Sequence, residues 1–85
     1  MTTFLKEHIH DELQDCLTYA KKAVEIKDSN HEASKTFWKL SNNEMSHATF
    51  LIKILMKSDP NTESKEIIDE YMNTINERDA LCKLW

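Results

Sequence analysis

Apolar residues recur along this chain at three- and four-residue intervals, and three stretches keep that rhythm long enough to predict helices. Leu5, Ile9, Leu13, Cys16, Ala20, Ala23 and Val24 form a stripe on a first helix over residues 4–27. Asp28-Ser29-Asn30 interrupts the pattern, and Ser29 followed by Glu32 reads as a capping box for the next helix. That second helix covers residues 31–57, with Phe37, Leu40, Met45, Ala48, Leu51, Ile52 and Leu55 on its apolar side. The segment Ser58-Asp59-Pro60-Asn61-Thr62 predicts a turn, because proline and its polar neighbours stop a helix. A third helix over residues 64–83 carries Ile67, Ile68, Tyr71, Ile75 and Cys82, and Trp85 continues their line.

The first two helices are long, about 35 to 40 Å at the usual rise per residue. Their connection is short, so they predict an antiparallel hairpin, with the third helix covering one end or side. The expectation is a single all-α domain over residues 1–85.

Polar residues inside an apolar stripe carry more information than the stripe itself. Advancing about 100° per residue puts Glu12 within the arc of Leu5, Ile9 and Cys16. On the second helix, Glu44 sits near the middle of the arc of Phe37, Leu40, Ala48 and Leu51. His47 follows at its margin, three residues and close to one turn on, within reach of the same point. Lys35, Lys39, Lys53 and Lys57 occupy the opposite side. A carboxylate is costly to bury unless a partner or a metal neutralises it. Taken singly, Glu12 or His47 reads as an ordinary margin residue, and Glu-x-x-His strings are common. Together they put two carboxylates and an imidazole between two helices of one hairpin.

Glu66, Glu70 and Glu77 on the third helix fall away from its apolar side and read as a solvated face. Among the other histidines, His8 lies one turn before Glu12, at a solvated edge or as an extra ligand. His10 points away from the stripe, and His31 sits at a helix start. Tyr19, two turns along from Glu12 on nearly the same line, either packs in the core or bonds to a ligand carboxylate.

Composition narrows the alternatives. The chain has no glycine and one proline, which argues against phosphate-cradling loops, hairpin turns and sheets. Eleven basic against 15 acidic residues give a net charge of −4 with no basic stripe, so nucleic acid is not an expected partner. No apolar run approaches a membrane span, and the first residues lack the pattern of a signal peptide. A cytoplasmic protein is expected. Cys16 and Cys82 form no Cys-x-x-Cys pair, so both read as reduced thiols packed as small apolar groups.

Dimetal carboxylate centres in four-helix bundles use one Glu from each of two helices and a Glu-x-x-His from each of the other two. This chain supplies one helix of each type. A homodimer, or a higher assembly built from it, would complete the bundle with Glu12, Glu44 and His47 from both copies. Imidazole and carboxylate together suit iron, with manganese or zinc as other occupants.

At this point the sequence resembles the ferritin-like superfamily, in particular the first helix pair of rubrerythrins and the half-size encapsulated ferritins. The similarity covers roughly residues 5–56. It is carried by Glu12 with Tyr19-Ala20, then by Phe37-x-x-Leu40-Ser41-x-x-Glu44-x-x-His47-Ala48. The resemblance implies a centre of two irons with Glu12 and Glu44 as bound carboxylates, Glu44 bridging, and His47 as a terminal ligand. It also implies oxidation of Fe(II) or reaction with peroxide or dioxygen. The chain departs from full-length rubrerythrins, lacking their second ligand-bearing helix pair and the cysteine pairs of a rubredoxin site. Its C-terminal residues also do not look like the glycine-containing tails that target cargo to encapsulin shells. Two other readings compete: a metal-free helical adaptor binding a protein partner, and a structural dimetal site without turnover.

Overall fold

The computed structural model describes residues 1–58 and 64–85, and all regular structure in them is helical. Twenty-five residues free of glycine and proline wind into α1 (Thr2–Ile26). The 28 residues of α2 (His31–Ser58) return beside it, and α3 (Lys65–Leu84) adds 20 more. The expected turn after Ser58 lies outside the described residues.

The α1–α2 connection is capped one residue later than the Ser29 capping box predicts. Asn30 is the cap: its Oδ1 accepts from the Ala33 amide at 3.1 Å, and its carbonyl accepts from the Ser34 amide. Ser29 instead turns back and donates to the Ile26 carbonyl. Asparagine accepts at this position as well as serine does, and the chain uses the one beside the helix. No described residue takes a positive φ, so the turn closes without needing glycine.

On α1 the expected stripe is the core: Leu5, Ile9, Leu13, Cys16, Ala20 and Ala23 are buried, and Val24 is half-buried. On α2 the buried line is rotated relative to the expected one. Ser34, Trp38, Ser41, Ala48, Ile52 and Leu55 are buried, while Phe37, Leu40, Met45 and Leu51 are only partly covered. Small serines let the two backbones close together and then bond across the seam. Ser34 Oγ donates to the Ala23 carbonyl at 2.6 Å, and Ser41 Oγ to the Cys16 carbonyl at 2.8 Å.

The third helix explains the rotation. It packs mainly against α1, yet its side chains reach α2 on the side of Trp38 and Asn42. Ile67 and Thr74 are its buried residues, with Ile68 and Tyr71 packed on the cluster of Leu5, Ile9, Leu13, Ala48, Ile52 and Leu55. Polar contacts do much of the rest. Tyr71 and Thr49 share a hydrogen bond of 2.7 Å, and Lys27 donates to the Leu84 carbonyl. Glu70, expected to be free in solvent, pairs with His10 at 2.6 Å. Cys82, expected to pack, is exposed instead, because α3 turns Thr74 and Arg78 toward the hairpin and leaves Cys82 off that side.

The end of α3 is held by aromatic stacking. The Trp85 ring stacks on Trp38 at 4.8 Å and 10°, and its Nε1 donates to Ser34 Oγ at 2.7 Å. Such a pair contributes about 0.5 to 1.5 kcal/mol beyond its burial. Trp85→Ala is therefore expected to lower unfolding stability by about 1 to 2 kcal/mol, read in a urea titration. A change below about 0.3 kcal/mol would mean that the stack does not anchor α3.

The molecule is long and thin, 45 × 19 × 14 Å. Its radius of gyration, 14.0 Å, exceeds the about 12 Å of a compact chain of this length. With α3 on one side of the hairpin, the other side stays open. Helical register puts Phe4, His8, Glu12 and Tyr19 of α1 there, with Phe37, Leu40, Glu44, His47, Leu51 and Ile54 of α2. Phe4 is 56% exposed and Ile54 47%.

Candidate metal centre

Glu12 comes from the middle of α1, and Glu44 and His47 from the middle of α2. The antiparallel hairpin sets these midpoints side by side. One ligand atom from each of the three lies within 4.8 Å of the others. His47 Nδ1 is 3.3 Å from Glu12 Oε2 and 3.9 Å from Glu44 Oε2. The two carboxylates are mostly covered, with side chains 23% and 19% exposed, while the imidazole is 55% exposed.

The cluster is not in the seam between the helices, where the stripe argument puts it. It sits beside the seam, on the open face. Cys16 and Ser41 fill the seam at this level, and rotation of the α2 core toward α3 carries Glu44 outward. The carboxylates therefore keep a solvent side, and His47 forms the rim.

Electrostatically the pair is strained by its own charge. The Glu44 carboxyl is raised to about 7, first by a hydrogen bond with Glu12 that favours its protonated form. Burial and the negative charges of Glu12 and Asp15 push the same way, and only His47 opposes them. Asp15, one turn beyond Glu12, is a contributor that stripe analysis passes over. Among the described residues no lysine or arginine forms an ion pair with either glutamate; the His47 ring is the nitrogen group beside them. Two adjacent carboxylates beside an imidazole make a donor set that fits a divalent cation.

The remaining sequence candidates fall elsewhere. His8 stacks against Phe4, with ring centres 4.2 Å apart, and His10 belongs to Glu70. Tyr19 stacks on Phe37 at 6.0 Å and 25°, which is its packing role. Cys16 is fully buried, and burial pushes its thiol up. Bonding to Ser41 and the charge of Arg78 pull it down, whereas Glu44 pushes it up. Glu66, Glu70 and Glu77 are not in the cluster.

Sequence periodicity missed two residues of this region. Trp38, buried against α3, lies next to the stripe rather than in it. Arg78, the sole arginine, stacks over the Trp38 ring at 4.5 Å and reaches Ser41. The available signal was that single arginine falling on the Thr74 side of α3.

No curated protein and no solved structure matches this chain. A family model for rubrerythrin matches residues 3–80, almost the whole length. Proteins of that family typically bind iron, and an all-helical chain with a Glu, Glu and His cluster is consistent with its ferritin-like fold. By this match the chain belongs to the rubrerythrin family.

Proposed function

We infer that two copies of this chain join through their open hairpin faces and hold a di-iron centre between them. In this reading the centre is built from Glu12, Glu44 and His47 of each copy. The carrying observation is that three metal-type donors converge on the one face that α3 leaves uncovered. One copy offers half the donor set of a dimetal carboxylate bundle, and a twofold axis through that face doubles it. The flanking residues suit burial, with Phe4, Leu51 and Ile54 toward one end and Tyr19, Phe37 and Leu40 toward the other. The homodimer thus completes a four-helix bundle around the carboxylates.

Iron bound there would supply one-electron chemistry toward dioxygen or peroxide, with Fe(II) also a substrate to be oxidised. The residues of the chain prepare for it. Glu12 and Glu44 would hold the metal as carboxylates, with Glu44 giving up the proton it keeps near neutral pH, and would carry the negative charge that balances the cations. His47 would hold the metal through one ring nitrogen, with the N–H on the other. Six protein donors shared between two ions leave three each, so coordination positions remain for water or an oxidant.

Anaerobic Fe(II) titration followed by oxygen uptake tests this reading. Wild type is expected to bind iron and consume oxygen faster than buffer with Fe(II), and Glu12→Ala and His47→Ala are expected to fall to the buffer rate. Binding in wild type with equal uptake in all three, at the buffer rate, would leave a structural dimetal site without turnover. Absence of metal binding would favour the helical adaptor.

A further inference from the structure

We propose that Arg78 of α3 is a positioning residue for the candidate metal centre, acting through Ser41 and the α1–α2 seam. The proposal rests on the reading of Glu12, Glu44 and His47 as metal donors. Its physical basis is a chain of contacts that crosses all three helices at the level of the site.

The guanidinium uses its fork on two adjacent residues of α2. Nε donates to Ser41 Oγ at 2.9 Å, and a terminal nitrogen donates to Asn42 Oδ1. Its plane lies over Trp38, 4.5 Å from the ring centre, so the side chain is clamped from a second direction. A planar fork held at both prongs and one face has little freedom left.

Ser41 passes the constraint to α1. Its one proton goes to the Cys16 carbonyl at 2.8 Å. Its oxygen accepts from Arg78, and from the Cys16 thiol at 3.3 Å. The hydroxyl therefore makes the three bonds available to it, and both Ser41 and Cys16 are fully buried. Buried polar networks with every member satisfied specify one arrangement of the elements they join.

The register gives this network its purpose. Ser41 is one turn before Glu44 on α2, and Cys16 is one turn after Glu12 on α1. The spacing and rotation of the two helices at Ser41 and Cys16 therefore set how the two carboxylates meet. Helix α3 contributes no donor, but through Arg78 it holds the seam next to the donors. Partners bonded directly to a ligand change metal affinity by about 10- to 100-fold, and a contact one step further out is expected at the lower end of that range.

The test is cobalt(II) and anaerobic Fe(II) binding by the full chain, followed with the visible spectrum of the cobalt form. Arg78→Met keeps an apolar cover over Trp38 and removes the donors. It is expected to weaken binding by about 10-fold and to change the cobalt band shape. Ser41→Ala is expected to weaken binding at least as much, and the double variant to lose no more than Ser41→Ala alone, because Arg78 acts through Ser41. His10→Ala, which breaks a different α3 contact with Glu70, is expected to leave affinity within about twofold. Wild-type affinity and spectrum in Arg78→Met would overturn the proposal while leaving the metal reading intact. An equal loss in His10→Ala would also overturn it, showing that only general docking of α3 matters. Failure of wild type to bind either metal would instead remove the metal reading, and the proposal with it.

Discussion

With Glu44 replaced by glutamine, the metal-free protein is expected to gain stability at pH 8, and metal binding is expected to be lost. The native Glu44 carboxyl sits near 7, well above the usual carboxylate range, chiefly because its protonated form bonds to Glu12. Between the ordinary carboxylate range and pH 7, the native state holds a proton that the unfolded chain has released. The contribution of Glu44 to stability is therefore complete at acid pH and is lost as pH rises through 7. Above that, two like charges and a partly covered carboxylate weigh against folding. Glutamine keeps the bond to Glu12 and cannot ionise, so its contribution is flat with pH. The variant should match wild type near pH 4 and exceed it at pH 8 by about 1 to 2 kcal/mol, after allowance for solvent at the half-open site. Metal reverses the sign for wild type alone, since a cation stabilises the ionised pair and competes with its proton. Wild-type metal affinity should accordingly fall as pH drops below 7. Urea titrations at pH 5 and 8, with and without Fe(II), separate the cases. A variant that unfolds at both pH values, or that still binds metal, would make Glu44 a structural residue.

Most of the α1 core was legible because apolar residues alone make up its buried stripe, although both α2 and α3 pack against that helix. The α2 core was harder to read. Its apolar residues divide between the α1 seam and the open face, and Ser34 and Ser41, polar by type, take the tightest positions. A serine that bonds to a facing backbone carbonyl is indistinguishable in sequence from one in water. The meeting of Glu12, Glu44 and His47 was legible from spacing alone, because it needs only their helical phase. Whether they lie in the seam or beside it depends on where α3 packs, and that is set by contacts across tens of residues. The pairings of His10 with Glu70 and Arg78 with Ser41 span 60 and 37 positions, and no local pattern marks them. Cys82 shows the same limit. Its phase on α3 is apolar, but the C-terminal half of the helix docks through Thr74, Arg78 and Leu81 and leaves Cys82 off that side.

Phe4→Glu combined with Ile54→Glu is expected to leave the single chain folded and to abolish both dimer and metal site. Phe4 and Ile54 are about half exposed, so within one copy the changes touch little and should alter its stability by less than about 0.5 kcal/mol each. Both residues lie on the open face with Glu12, Glu44 and His47. If two such faces meet, the substitutions bury four new carboxylates without partners, at a cost of several kcal/mol. Sedimentation at micromolar concentration should show a dimer for wild type and a monomer for the variant. Metal binding should fall with it, although all three donor residues are intact. Met72→Glu is the control: Met72 is 51% exposed on α3, outside the hairpin face, and its change should leave mass and metal content as in wild type. A monomeric variant that retains full metal affinity would show that one copy suffices, and the site would then be a three-donor site of a single hairpin. A variant that stays dimeric would place the interface on some other surface. Loss of dimer and metal together is the result that a shared centre predicts.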